Sequence, residues 1–202
     1  MRYRSNQRFA DVTVLAIIAV NIVFFIASLT RNDLIYELGL TPNSWTSHPW
    51  TLLTSMFMHA DITHILFNML SLYFLGRFLC QLVGDKWFLI IYFIGGIVGN
   101  FFYILLGATD EPVIGASGAI FAVGGALAVL VPNVKVILFP IPAPVPLWTA
   151  IIGTFLLLTL IALVSNIAWE AHLGGLLLGL AVGYYLRRRQ RGMSPWQRGF
   201  LR

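Results

Sequence analysis

The chain has 202 residues, of which 58% are apolar and only 10% are charged, and its mean hydropathy is +0.83. Soluble domains carry roughly 25% charged residues, so this composition excludes a water-soluble globular protein. The net charge is +5, but its basic residues concentrate at the two chain ends, which argues against a nucleic-acid-binding face and indicates membrane topology instead.

The first predicted element is an apolar run over residues 12–29, which follows a basic segment over residues 1–11. The run is longer than the apolar part of a secretory signal and has no small-residue cleavage site just beyond it. It therefore predicts a first transmembrane span. Residues 31–49 mix polar, acidic and proline residues and are typical of a loop with short helical pieces.

Five further apolar segments follow, each long enough to approach the thickness of the hydrocarbon core. An acidic loop over residues 108–114, which contains Asp110 and Glu111, separates the third span from the fourth. Pro140, Pro142 and Pro144 exclude a regular helix between the fourth span and the fifth. The predicted spans are residues 62–82, 87–106, 117–131, 147–164 and 169–186.

Six spans place both chain termini on the same side of the membrane. Every Lys and Arg except Arg31 then lies on that side, and the acidic loops lie opposite. The positive-inside rule therefore predicts cytoplasmic termini. The predicted fold is an all-α bundle of six spans over residues 12–186, with a cytoplasmic N-terminal segment (1–11) and a basic cytoplasmic tail (187–202). No internal repeat of the kind common in transporters is visible.

Ser117 lies between small residues at the mouth of the fourth span, in the sequence Gly115-Ala-Ser117-Gly118. Small neighbours would let a substrate backbone approach the hydroxyl, and a helix N-terminus offers free N–H groups. Serine is also a good N-cap residue at such a boundary. From these residues alone, the serine is either a helix cap or a nucleophile.

His172 lies about one turn inside the sixth span, where an imidazole without a partner would be costly. Gly175 follows His172 by three residues and Gly179 follows Gly175 by four, so one helix face has almost no side-chain bulk. The fourth span has a matching face, and docking of small faces allows close helix packing. Such packing would bring Ser117 and His172 together, as nucleophilic catalysis needs. The matching face of the fourth span consists of Gly118, Ala122 and Gly125.

His64 and Asn68 share one face of the second span because they are four residues apart. The two side chains could donate to the oxyanion of a tetrahedral intermediate together with the Ser117 amide, or they could form a hydrogen-bonded pair that holds helices together. His59 and Asp61 are nearer to water and are interpreted as structural.

No metal or cofactor site is predicted. His59 and His64 are five residues apart and so lie on different helix faces, and no His-Glu-x-x-His pattern exists. The single cysteine, Cys80, is interpreted as a core residue. Glu170 points away from the face that carries His172. The sequence thus favours a Ser–His pair without an acid, with Phe121 stacked on the imidazole.

Together these motifs resemble the rhomboid family of intramembrane serine proteases. The resemblance covers residues 12–186 and rests on His64-x-x-x-Asn68, Gly115-x-Ser117-Gly118 and His172-x-x-Gly175-x-x-x-Gly179, in the family's order. It implies Ser117 as the nucleophile and His172 as general base and then acid. It also implies an oxyanion hole made by His64, Asn68 and the Ser117 amide.

The resemblance further implies substrates that are single-pass membrane proteins, cut near the outer face of the bilayer. It implies that the first external loop lies partly in the membrane and that the fifth helix acts as a lateral gate. Thr51 stands where many members carry arginine, and Phe121 stands where tyrosine is frequent. Neither difference removes a reacting group.

Two other classes of function stay open from the sequence. One is a rhomboid-like protein that binds membrane clients without cutting them, although such relatives typically lack the serine or the histidine. The other is a small channel or transporter, which would need a polar path across the bundle, whereas the polar residues here cluster at one end. With no organelle presequence visible, we expect a prokaryotic plasma membrane. The sequence does not identify an oligomeric state.

Overall fold

The structure is a computed structural model that describes residues 2–31, 33–107, 111–137, 143–165 and 167–191. Of residues 2–10, 190 and 191 it describes the backbone alone. The sequence interpretations of Asp110, Pro140, Pro142 and the tail beyond residue 191 concern positions outside the described residues.

Helices form nearly all of the regular structure in the described residues, as predicted. Two strands, β1 and β2, pair as a two-residue antiparallel hairpin between the fourth and fifth predicted spans. The elements in chain order are α1 (Arg2–Thr30), α2 (Leu34–Leu38), α3 (Thr51–Thr54), α4 (Ile62–Ser71), α5 (Arg77–Val83), α6 (Asp85–Leu106), α7 (Ser117–Leu130), β1 (Lys135–Val136), β2 (Val145–Pro146), α8 (Leu147–Ala162) and α9 (Trp169–Arg191).

The observed helices match the predicted spans and extend beyond two of them. α1 begins at Arg2, ahead of the apolar run, and α9 continues to Arg191, past the predicted end at residue 186. Hydrophobicity marks only the part of a helix that lipid covers, whereas arginine and glutamine are good helix formers and continue the helix beyond it. The first and last helices therefore include part of the segments predicted to flank the membrane domain.

Three helices are both long and apolar enough to cross a bilayer among the described residues: Asp11–Thr30, Ile62–Val83 and Asp85–Leu106. Ser117–Leu130 and Leu147–Ala162 are shorter apolar helices. The chain is therefore an integral membrane protein, while six spans and cytoplasmic termini stay predictions.

The second span runs from α4 through one π-helical turn, Leu72–Gly76, into α5. Next to this turn Arg77 donates to Asp11 of α1 at 2.6 Å and to the hydroxyl of Tyr73. The partly buried ion pair ties α1 to the second span. The chain then turns at Gly84 and enters α6. Gly84 has φ +82°, a backbone conformation that residues with a side chain rarely adopt, which explains the glycine at this turn.

α7 is the centre of the bundle, and all its residues from 118 to 128 are buried. α6, α8 and α9 all pack against it. The backbones of α7 and α9 approach each other closely, since a methyl group added at Gly125 would lie 2.7 Å from the carbonyl oxygen of Leu176. One added at Gly183 would lie 2.8 Å from that of Ala126. Such backbone approach is typical of membrane helices that pack through small residues.

The described residues of the loop between α1 and α4, 31 and 33–61, are held by hydrogen bonds within the loop. Arg31 pairs with Asp33 at 2.6 Å and with Glu37 at 2.9 Å, and its hydrogen bond lowers the pKa of Asp33. The hydroxyl of Thr54 donates to the carbonyl of Leu38 at 2.7 Å. This segment is called the first loop below.

Thr51, where the family often has arginine, is buried in the first loop and donates to the carbonyl of His48 at 2.7 Å. The hydroxyl therefore secures a local turn. The threonine side chain is too short to reach the more distant groups that an arginine side chain could contact.

Candidate active site

The backbone before Ser117 bends sharply and then enters α7. Gly115 has φ +120°, a conformation that favours glycine, and Ala116 is the N-cap residue. Ala116 has no side-chain oxygen to cap the helix, and Ser117 is the first residue inside it. The bend therefore presents the Ser117 hydroxyl at the helix N-terminus, where the first backbone N–H groups have no partner within the helix.

Ser117 and His172 are in hydrogen-bond contact, with 2.8 Å between the serine Oγ and the imidazole Nε2. The predicted docking of two small helix faces brings them together. A methyl group added at Gly175 would overlap the carbonyl oxygen of Gly118, and one added at Gly179 would overlap that of Ala122. Of the two sequence interpretations of Ser117, the structure agrees with contact to an imidazole and not with a side-chain cap.

His172 is only 5% exposed and is held by an aromatic ring. The centroid of the Phe121 ring lies 4.7 Å from that of the imidazole, at an interplanar angle of 35°, as the sequence predicted. Phe121 in turn contacts Phe155 of α8 edge-on at 6.0 Å. Within the described part of the chain Nδ1 of His172 has no hydrogen-bond partner. Packing, rather than a carboxylate, therefore orients this ring.

His64 faces the same backbone bend from α4. A methyl group added at Gly115 would lie 2.8 Å from its Nε2. The Ala60 amide donates to its Nδ1 at 3.4 Å, and Asp61 caps α4 by accepting the His64 N–H at 2.8 Å. An imidazole that accepts at Nδ1 carries its proton on Nε2 when neutral. The N–H of Ala60 thus favours the tautomer that can donate toward the bend.

Asn68 is buried one turn further along α4, and its amide donates to the carbonyl of His64 at 2.9 Å. This donor serves its own helix in the structure as it stands. The amide has a second N–H besides the one that makes this bond, and the role of Asn68 in an oxyanion hole stays a prediction.

His59 packs against His64, with ring centroids 5.0 Å apart and an interplanar angle of 65°. The sequence interpretation placed His59 near water, but the residue is fully buried. Burial lowers the pKa of His59 to about 4, with a further contribution from His64, so the ring is neutral at pH 7. The position of His59 before α4 suggested exposure, but in the folded chain the side chain is enclosed and contacts His64.

The arrangement joins a hydroxyl to a buried imidazole and sets a second imidazole beside the same bend. Among the described residues no three His, Cys, Asp or Glu side chains are grouped to hold a metal ion. A hydroxyl paired with a base, next to N–H donors, is the chemistry of acyl transfer through a covalent intermediate.

Replacement of Gly115 by alanine should slow the labelling of Ser117 by a fluorophosphonate about 100-fold, because misplacement of reacting groups by about 1 Å has an effect of that size. The new methyl would strain the backbone at φ +120° and press on the His64 ring. The labelling rate of the purified protein in lipid vesicles measures this effect. Gly84→Ala is the matched control, since Gly84 also has positive φ but has open space around it. Equal losses in both variants would contradict the prediction.

Comparison with known proteins adds family information to this geometry. A model of the Rhomboid domain family matches residues 46–189. Rhomboid protein 1, mitochondrial, of Saccharomyces cerevisiae is 30% identical over 174 residues, which cover 74% of this chain and 47% of that protein. Rhomboid protease GluP of Bacillus subtilis is 32% identical over 171 residues, covering 78% and 31%.

A third relative bears the word inactive in its name. Inactive RHOMBOID-like protein 8 of Arabidopsis thaliana is 35% identical over 78 residues, which cover 39% of this chain and 22% of that protein. The chain spans less than half the length of each of these three relatives.

Proposed function

This chain belongs to the rhomboid family, and on that premise we propose that it is an intramembrane serine endopeptidase with Ser117 as nucleophile and His172 as general base. The observation that carries the proposal is the 2.8 Å contact between the Ser117 hydroxyl and the His172 imidazole. The contact lies at a helix N-terminus inside an apolar bundle. Polar side chains are costly in such a place, so a hydroxyl and an imidazole paired there indicate a functional role.

The reaction begins when the Ser117 Oγ attacks the scissile carbonyl and its proton passes to Nε2 of His172. The N–H groups at the start of α7, including that of Ser117, stabilise the oxyanion that forms, together with the Nε2–H of His64 and the side-chain amide of Asn68. Collapse of this intermediate breaks the C–N bond, and His172 returns the proton to the leaving amine. Water then attacks the acyl-enzyme with His172 again as base, which releases the acid and restores Ser117.

The substrates that we propose are single-pass membrane proteins, cut near the outer face of the bilayer. α8 would act as a lateral gate, and the proposed location is a prokaryotic plasma membrane. These statements follow from the family resemblance and from the apolar exterior of the helices, which confines access to the site to molecules already in or at the membrane.

A second candidate is a protein that binds membrane clients without cleaving them. The relative named inactive favours keeping this alternative, because membership of the family alone does not establish catalysis. The retained Ser117–His172 contact favours the protease.

The test is to incubate the purified protein in lipid vesicles with a panel of single-span reporter proteins and to map any cut by mass spectrometry. We expect a cut close to one end of the reporter's membrane segment and covalent labelling of Ser117 by a fluorophosphonate. Stable capture of reporters with neither cleavage nor labelling would favour the client-binding alternative. Reporters that are neither bound nor cut would contradict both functions for this panel.

A further inference from the structure

We propose that Asn100 of α6 is a positioning residue for Ser117, which acts by holding Ser55 of the first loop and, through it, the backbone bend at Gly115. The proposal rests on the proposed function, because it concerns the alignment of a nucleophile. Neither Asn100 nor Ser55 belongs to the motifs that suggested the reaction.

Asn100 links α6 to the first loop through two hydrogen bonds that its side-chain amide donates. The side chain is 6% exposed, and its Nδ2 donates to the carbonyl of Leu52 at 2.9 Å and to the hydroxyl of Ser55 at 2.8 Å. A buried primary amide has two N–H groups to satisfy, and here both are used on the same turn of the first loop. A buried amide in a membrane bundle is otherwise costly, so these bonds secure that turn against α6.

Ser55 carries the connection onward to the bend before the nucleophile. Its side chain is 1% exposed, and its carbonyl accepts the N–H of Gly115 at 2.9 Å. The same stretch is fixed at a second point, where Leu40 and Val113 exchange backbone hydrogen bonds of 3.0 and 2.8 Å. The first loop thus sets the position of residues 113–115 by backbone contacts alone.

The two partners of the reacting pair are therefore positioned by different parts of the fold. His172 lies on α9, which is docked to α7 by close backbone packing. Gly115 is two residues before Ser117, at φ +120°, and its amide is held by the turn that Asn100 secures. A shift of this turn would move the bend and Ser117 relative to the imidazole, while the α7–α9 contacts further along the helices, such as that of Gly179 with Ala122, stay in place.

α6 presents a second contact to the same region one turn further on. The hydroxyl of Tyr103 donates to the carbonyl of Glu111 at 2.9 Å, in the loop that leads to the bend. Asn100 and Tyr103 lie three residues apart and so share one face of α6. That face supports the first loop and the loop before α7 together.

The experiment compares Asn100→Leu with Asn21→Leu in vesicles. Asn21 is an equally buried amide, but its Nδ2 donates within α1 to the carbonyl of Ile17, so this variant is the matched control. We expect Asn100→Leu to lower kcat by about tenfold or more with KM within about twofold, because a misaligned nucleophile slows chemistry rather than binding. We expect kcat of Asn21→Leu to stay within about twofold of the unaltered protein. A kcat for Asn100→Leu as high as that of the control would overturn the proposal.

A double-mutant cycle with Ser55→Ala measures the coupling between the two side chains. General destabilisation by either variant does not produce such coupling. The alanine keeps the carbonyl that holds Gly115 but removes the hydroxyl that receives the Asn100 N–H. If the two side chains act in one chain of contacts, their effects on kcat are not additive, and the double variant loses less than the product of the single losses. Multiplicative losses would overturn the proposal. If Asn100→Leu does not fold, Ser55→Ala alone decides, with a fall in kcat of more than twofold expected.

Failure of this inference is distinguishable from failure of the proposed function. An unaltered protein that neither cuts reporters nor labels at Ser117 contradicts both. An unaltered protein that cuts, together with Asn100→Leu and Ser55→Ala variants that cut equally fast, contradicts only the positioning role of Asn100.

Discussion

Ser117→Ala should abolish cleavage, with a loss of at least about 10⁴-fold in kcat, because no other group can form the acyl-enzyme once the attacking oxygen is removed. The substitution deletes a single atom and one hydrogen bond to His172. The free energy of unfolding should therefore fall by about 1–3 kcal/mol, the effect of leaving the buried Nε2 of His172 without its partner. Cleavage of a single-span reporter in vesicles measures the first effect, and thermal unfolding in detergent measures the second.

Ser28→Ala is the matched control for this prediction. Ser28 is a buried helical serine whose hydroxyl donates to the carbonyl of Phe25 at 2.7 Å, far along the chain from the candidate site. We expect full cleavage by this variant. His172→Ala should be as inactive as Ser117→Ala, and the double variant should lose no more than either alone, because the two groups act as a unit. Cleavage by Ser117→Ala at the unaltered rate would refute the assignment of the nucleophile.

Gly175→Ala should lower both stability and cleavage, because its methyl group would overlap the carbonyl oxygen of Gly118 in the α7–α9 interface. Backbone atoms cannot turn aside as a flexible side chain can, so the two helices must separate. Overpacking of this kind costs about 1–3 kcal/mol, and more where the backbone must move. Separation also lengthens the Ser117–His172 contact, so turnover should fall by about 100-fold. Thermal unfolding and reporter cleavage measure the two effects.

Gly153→Ala on α8 controls for the intrinsic effect of replacing a helical glycine. No atom lies within 4 Å of a methyl group added there. Alanine should then stabilise the helix by roughly 0.5–1 kcal/mol and leave turnover unchanged. If Gly175→Ala behaved like Gly153→Ala, with a raised unfolding temperature and normal cleavage, the close packing of α7 on α9 would not be what aligns the two residues.

The helices of this protein could be predicted from the sequence because a lipid environment imposes one simple requirement. Each span must be apolar for about 20 residues, and polar or proline-rich segments mark where it ends. All six predicted segments are helical, within a few residues at most inner boundaries. The errors lie at the start of α1 and the end of α9. There the helix extends beyond the apolar run, and no change in hydrophobicity marks where it begins or ends.

The contact between Ser117 and His172 was also predictable, because the spacing of the glycines after His172 shows which face of α9 can pack closely on α7. Gly175 and Gly179 recur on the face that follows His172, and a face without side chains can dock closely on another of the same kind. The stacking of Phe121 on the imidazole follows from the same docking, since Phe121 lies one turn beyond Ser117.

The roles of the first loop depend on tertiary structure alone. Asn100 lies in an apolar helix and Ser55 in a short turn, and nothing in their spacing along the chain relates either residue to Ser117. The burial of His59 and the hydrogen bond from the Ala60 amide to Nδ1 of His64 likewise arise only in the folded chain.

The amino-acid sequence by itself determined where the chain meets lipid and which small faces can pack, because both depend on periodic properties of neighbouring residues. Only the tertiary structure decided how the first loop holds the bend before α7. Those contacts run through backbone carbonyls and amides, which every residue possesses, so no side-chain pattern in the sequence distinguishes the ones that are used.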